Sequence, residues 1–355
     1  MILRALLLLI PVSIALDFFA APPLLIFAAA ALAIVPLAEY IRHATEQLSA
    51  HAGSAIGGLL NVTFGNAAEL ILAILVLVAG KPTVVKATIT GSIIGNSLLG
   101  LGVAIVAGTW GRERLTFIRE RSGLLSSLLV LSTIALLLPA FYNYLERDVR
   151  GVANVQTLDE YLSLGVAVVL ILAYGANLSY TLVTHRDVFG GTEEEGGAGQ
   201  WSVGRALGVL VAATAVVAWE AELVSGALEA TAAQLGLTEF FLGLIALPLV
   251  GNAAEYFAAV YFARQGKMDL VMGIALGSSI QIVLLTAPIL VLIGYFTGHP
   301  MDLVFDNPLE LVAIAGIAFI VRAIAEDGET TWFEGVMLLV VYALLALTFF
   351  FVTPE

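Results

Sequence analysis

The sequence predicts an all-α polytopic membrane protein of about 11 transmembrane helices, one N-terminal helix followed by a 5+5 inverted-topology repeat. Three observations predict it. Hydrophobic residues fill 60% of the 355 positions and charged residues only 12%, against roughly 25% charged in soluble domains. Apolar stretches long enough to cross a bilayer, about 20 residues each, recur from end to end with Gly, Pro and charge between them. Finally, Gly65-Asn66-Ala67-Ala68-Glu69 returns as Gly251-Asn252-Ala253-Ala254-Glu255, each time with its carboxylate inside an apolar stretch.

Composition also excludes. A net charge of -13 argues against nucleic acid and towards metal ions or protons. With no cysteine in the chain, disulfides and thiolate metal sites are ruled out. The first apolar stretch carries Pro11 and Asp17 and no small-residue cleavage site, so it reads as a retained helix.

In order, the expected spans lie near 2–20, 24–50, 56–80, 84–108, 122–144, 159–183, 202–235, 239–263, 269–296, 308–324 and 331–352. Pro22-Pro23, Lys81-Pro82, the Arg112–Arg121 cluster, Gly190–Gly199, Gly266-Lys267 and Gly298-His299-Pro300 punctuate them. If alternate loops face opposite sides, one side collects 11 Arg and Lys and the other only Lys81, Lys86, Arg147 and Arg150. That bias places the N-terminus in the cytoplasm and the C-terminus outside.

The repeat runs at an offset of 186 residues, with Gly80-Lys81 matching Gly266-Lys267, Gly91-Ser92 matching Gly277-Ser278, and Ile94 matching Ile280. Five helices is an odd number, so the second copy must enter the membrane upside down, the plan of secondary transporters. The expected division is 1–22 for the extra helix, 23–188 for the first five-helix repeat, 189–200 for an acidic Gly-rich linker with Glu193-Glu194-Glu195, and 201–355 for the second repeat.

An ionised carboxylate at the bilayer centre costs about 2.5 kcal/mol or more, so Glu69 and Glu255 call for a functional reading. A lone intramembrane Glu can be satisfied by a neighbouring helix; a matched pair is harder to explain as scaffold. Residues three apart share a helix face, so Asn66 can join Glu69, and Asn252 can join Glu255. Gly65 and Gly251 let a facing helix come close, and Pro248 removes a helical hydrogen bond just before the second motif. Carboxylate, amide and carbonyl oxygens are the hard donors calcium prefers. Two neighbouring carboxylates without a metal bind protons instead, and competition of cation and proton for one site is the minimum physics of an exchanger. Ser92, Asn96, Ser278 and Gln281 are placed around the pair, where the plainer role of the small residues is tight helix crossing. Glu39 and Glu222, with Glu46 and Glu229 seven residues further on, are candidates for a proton or cation path.

Gly57 to Glu69, Gly91-Ser92-Ile93-Ile94-Gly95-Asn96, Pro248 to Glu255 and Gly277-Ser278-Ser279-Ile280-Gln281 are long, paired and correctly ordered. Through them the chain resembles the CAX family of cation/proton exchangers, within the calcium:cation antiporter superfamily. The resemblance implies a ten-helix inverted-repeat core behind one extra helix, calcium held by Glu69 and Glu255 with Asn and backbone carbonyls, and release driven by protons. Sodium-driven relatives carry hydroxyl-rich motifs where this chain has Ala-Ala before each Glu. The chain departs from the family at Tyr256, where many members have histidine. It lacks the long N-terminal tail of plant relatives, which suggests a prokaryotic cell membrane.

The expected function is therefore Ca2+/H+ antiport by alternating access, in the direction of calcium efflux, with Ca2+, protons and the lipid bilayer as partners and no cofactor. Exchange of another divalent such as Mn2+, sodium coupling, or a cation channel are the alternatives. A homo-oligomer is compatible with the same pattern. No HExxH pair, aspartate-rich diphosphate site or Ser-His constellation suggests an enzyme.

Overall fold

A bilayer core offers no water to backbone groups, so apolar segments of this length close their hydrogen bonds internally as helices. The computed structural model, which describes residues 2–52, 57, 60, 63–150, 155–184, 201–305 and 307–352, is helical almost throughout. The elements are α1 (Ile2–Leu6), α2 (Leu9–Phe18), α3 (Pro23–Ala52), α4 (Ala67–Val78), α5 (Pro82–Ile94), α6 (Leu101–Thr109), β1 (Leu115–Thr116), α7 (Arg119–Arg150) and α8 (Val155–Ser179). They continue with α9 (Val203–Leu235), α10 (Glu239–Phe241), α11 (Leu247–Gly251), α12 (Ala253–Arg264), α13 (Met268–Gln281), α14 (Ala287–Thr297), α15 (Pro308–Glu326), β2 (Glu329–Thr330) and α16 (Trp332–Phe350). One-turn π-helices at Gly95–Gly100 and Ile282–Thr286 join α5 to α6 and α13 to α14.

Among the described residues, 8 helical spans are long and apolar enough to cross a membrane, and α10 to α12 makes a ninth if its 53° bend counts as one span. The remaining two expected segments are shorter: α4 in the region near 56–80, and α1 with α2 near 2–20. The expected linker at 189–200 lies outside the described residues. Large apolar side chains such as Leu138 and Phe141 on α7, Phe319 on α15 and Leu347 on α16 point outwards, as lipid requires.

Element boundaries repeat at the offset the sequence shows. α4 and α12 begin at 67 and 253 and end at 78 and 264, and α5 and α13 begin at 82 and 268. The turns between them match too. Gly80 and Gly266 take positive φ of 79° and 77°, and the amides of Lys81 and Lys267 reach back to the carbonyls of Val76 and Phe262 at 3.2 and 3.0 Å. These are left-handed helix endings that glycine adopts without strain.

Loops gather in two sets. Arg112 donates to the carbonyl of Arg264 at 3.0 Å, the Ile118 amide to Asp269 at 2.7 Å, and β1 pairs antiparallel with β2, Leu115 opposite Thr330. In the other set, Lys81 bonds Glu239 at 2.6 Å, and Ser163 accepts from the Leu303 amide at 2.9 Å. Loops that the alternating count places together are therefore in contact.

Candidate cation site

Both motifs sit where a helix is broken. Asn66 (φ -105°, ψ 24°) and Asn252 (φ -99°, ψ 10°) leave helical geometry in the same way, and each starts a new helix, α4 or α12. Glu69 and Glu255 thus fall in the first turn of a helix, at its N-terminal, positive end. In the second copy a proline stands four residues before the break. Pro248 cannot donate to Leu244, four residues back. The freed Leu244 carbonyl lies against Gly91, where an added Cβ would come within 1.9 Å of that oxygen. Gly91 has no side chain, so α5 can approach the Leu244–Pro248 stretch this closely.

That carboxylate is 4% exposed. Ser92 Oγ donates a hydrogen bond to its Oε1. Asn252 Nδ2, from the other copy, lies 3.2 Å from both Glu69 Oε1 and Ser92 Oγ. Asn96 Nδ2 then reaches Asn252 Oδ1 at 3.1 Å and Ser278 Oγ at 3.0 Å. Asn66 Nδ2 closes the set with Ser278 Oγ and Gln281 Oε1, each at 3.2 Å. Asn66 thus bonds the serine of the second copy while Asn252 bonds the serine of the first. Reciprocal contacts of this kind are what a two-fold relation between two like units produces.

The structure brings Glu69, Asn66, Asn252, Ser92, Asn96, Ser278 and Gln281 into one network, with the backbone of Gly251 packed against the Glu69 side chain at 3.6 Å from a would-be Cβ. Gly65 lies in the break ahead of α4. Glu255 stands outside this side-chain network: its own backbone amide donates to it, and Glu69, Arg42 and Glu39 are its charged neighbours. Ser278 therefore does not pack over Glu255 in the way Ser92 packs over Glu69: its hydroxyl is taken by Asn66 and Asn96. Three oxygens in this region, Glu69 Oε2, Glu255 Oε2 and Asn96 Oδ1, are buried without a hydrogen-bond partner. Among the described residues no group of three or more Asp, Glu, His or Cys side chains is arranged to hold a metal ion by itself, so a cation here would draw on amide, hydroxyl and backbone oxygens beside the two carboxylates.

Tyr256 lays its ring across the π-turn, against Gly100, and points its hydroxyl at Gly95; that hydroxyl is buried and unpartnered. The expected path carboxylates fare differently. Glu39 is clamped by Arg42 at 2.6 Å, and Glu46 is bound to the same guanidinium. Glu222 is on the exposed face of α9, while Glu220, two residues earlier, is the fully buried one.

Sequence reasoning missed four residues. Arg42 is one, although its place between Glu39 and Glu46 at helical spacing was a usable signal. Glu220 is another, for which helix periodicity alone gave no reference face. Lys86, donating to Asp302 at 3.1 Å and to the Val304 carbonyl at 2.6 Å, and Glu310, accepting from Thr90 at 2.8 Å, complete the set. Their partners are more than 200 residues away.

A family model described as sodium/calcium exchanger protein matches residues 22–183 and 205–351. The chain is 42% identical to a Ca2+/H+ antiporter of Aphanothece halophytica, over 99% of this chain and 97% of that protein. It is 39% identical to the Ca2+/H+ antiporter ChaA of Bacillus subtilis (strain 168), over 96% of each. Among solved structures, native YfkE superposes with a TM-score of 0.85 at 35% identity, over 99% of this chain and 100% of that one. An H+/Ca2+ exchanger CAX matches with a TM-score of 0.72 over 98% and 91% of the two chains; at 19% identity it speaks to the fold alone.

Proposed function

The chain belongs to the sodium/calcium exchanger protein family, and from that premise we propose that it exchanges Ca2+ for H+ across a membrane. The observation that carries this reading is the set of buried, unpartnered oxygens, Glu69 Oε2, Glu255 Oε2 and Asn96 Oδ1, at the junction of the two repeated motifs. An orphaned oxygen in apolar surroundings is costly until something positive reaches it. Calcium does so by taking about 6–8 oxygens at about 2.3–2.6 Å. Protons do so by neutralising the carboxylates. Glu69 and Glu255 hold either the metal or protons, never both in full, and that exclusion couples the two fluxes.

Asn66, Asn252, Ser92, Asn96, Ser278 and Gln281 position the carboxylates and lend neutral oxygens. Gly65 and Gly251 keep the backbone close at the breaks. The halves 23–188 and 201–355 act as the two inverted repeats, with 1–22 as an added helix and 189–200 as their join. Alternating access follows if the halves move against each other about this site. The loop set rich in Arg faces the cytoplasm by the positive-inside rule, and the working direction is calcium efflux across a prokaryotic cell membrane.

The test is calcium uptake into proteoliposomes under an imposed proton gradient, for the wild type, Glu69→Gln and Glu255→Gln. The expected result is gradient-driven uptake that falls at least about 100-fold in both variants, the loss of a charged ligand of about 3 kcal/mol or more. Uptake indifferent to the proton gradient would point to a channel or another counter-ion. Uptake that survives both substitutions would remove the paired glutamates from the centre of the mechanism.

A further inference from the structure

Glu220 lies in the interior of α9, 0% exposed, and Ser13 of α2 meets it, also 0% exposed. Ser13 Oγ stands 2.8 Å from the Ile10 carbonyl and 2.9 Å from Glu220 Oε1. A hydroxyl has one proton to donate, and both neighbours are acceptors when the carboxylate is ionised. One of the two contacts would then set oxygen lone pairs against each other. A proton on Glu220 Oε1 removes the conflict, because the acid donates to Ser13 Oγ and Ser13 donates to the Ile10 carbonyl. Glu220 Oε2 is buried with no partner, which a neutral acid tolerates far better than a carboxylate does.

Among the described residues no charged group hydrogen-bonds or ion-pairs with Glu220. α9 packs against α3, α4, α2 and α10. On these helices Glu39 and Glu46 bind Arg42, and His43 approaches Glu46 at 3.6 Å. His51 bonds the Gln47 carbonyl at the exposed end of α3. Glu69 is held by Ser92 and Asn252, Asp17 is exposed, and Glu239 binds Lys81. None of them hydrogen-bonds or ion-pairs with Glu220; Ser13 is its polar contact.

We infer that Glu220 is a proton-binding site of its own, outside the central pair, and that the protonated acid fastens α2 to α9 through Ser13. Loss of the proton leaves an ionised carboxylate facing two acceptors across one hydroxyl, and loosens α2. The ligand is H+, exchanged with solvent, and α9 thereby gains a protonation event separate from those at Glu69 and Glu255.

The test uses the full chain in lipid, carrying Glu69→Gln and Glu255→Gln so that the central carboxylates are silent. Infrared difference spectra are taken from acid to alkaline pH, with hydrogen exchange read on residues 9–18. The expected result is the C=O stretch of an unionised carboxylic acid at neutral pH, abolished by Glu220→Gln and shifted by Ser13→Ala, which removes only its acceptor. α2 amides should exchange about tenfold faster once that band titrates away, as for loss of one such hydrogen bond. Glu220→Gln, which keeps a donor, should keep them slow at every pH. An absent Glu220-dependent acid band, or α2 exchange that ignores its titration, would overturn the inference.

Discussion

Glu69 is 4% exposed and takes hydrogen bonds from Ser92 and Asn252, whereas Glu255, at the same place in the second copy, is less enclosed and has Arg42 and Glu39 as charged neighbours. The backbone around them is nearly superimposable in its dihedrals, so the difference lies in which side chains arrive from the opposite copy. Asn96 in the first copy corresponds to Ile282 in the second, and the second copy's amide comes one residue earlier, at Gln281. A shift of one residue turns a side chain by about 100° around a helix. Gln281 consequently meets Asn66, and among the described residues no side-chain amide serves Glu255 as Asn252 serves Glu69. A duplicated motif thus yields one tethered carboxylate and one looser one. Under the exchange reading, Glu69 supplies fixed geometry, while Glu255 is freer to follow the cation or the proton.

The two copies should differ most at their small residues. Gly91→Ala pushes a methyl to within 1.9 Å of the Leu244 carbonyl, whereas Gly277→Ala meets nothing within 4 Å. We expect Gly91→Ala to cost about 3 kcal/mol, at the upper end for overpacking, and Gly277→Ala to be near neutral. Thermal unfolding in detergent, followed by tryptophan fluorescence, measures both. Equal tolerance would mean that the close approach of α5 to the second motif is not a constraint.

Next come the serines. Ser92→Ala removes a hydrogen bond to a carboxylate, worth about 1.5–3 kcal/mol, and Ser278→Ala only bonds between neutral groups, those with Asn66 and Asn96, about 0.5–1.5 kcal/mol each. The half-saturating calcium concentration should rise at least about tenfold for the first and about threefold for the second. Reversal of that order would show Glu255, not Glu69, to be the tethered member.

At the turns the two copies should behave alike. Gly80→Ala and Gly266→Ala each force a side chain into positive φ, at about 1 kcal/mol. Gly266 should lose slightly more, because its Cβ would also meet Arg112 at 3.3 Å. Matching small losses of thermal stability would support equivalent turns; a loss at one position alone would make the repeat superficial there.

The alphabet and order of residues determined a good deal by themselves. Apolar runs dictate helices, because in lipid only helices or closed barrels satisfy the backbone. The 186-residue offset sets the turns at Gly80 and Gly266, since a Gly-Lys after an apolar run terminates a helix by local chemistry alone. Glu69, Glu255 and their asparagines were legible for a similar reason: an intramembrane carboxylate is rare enough to stand out. Tertiary structure decided what depends on which helix faces which. It chose Glu220 over Glu222 for burial, bound Glu39 and Glu46 to Arg42, and gave Lys86 and Glu310 partners more than 200 residues away. It also made Ser92 and Ser278 unequal. In a chain that is hydrophobic all round, the helical period no longer marks an inner face, so burial, and with it the fate of each charge, is set by packing against distant segments.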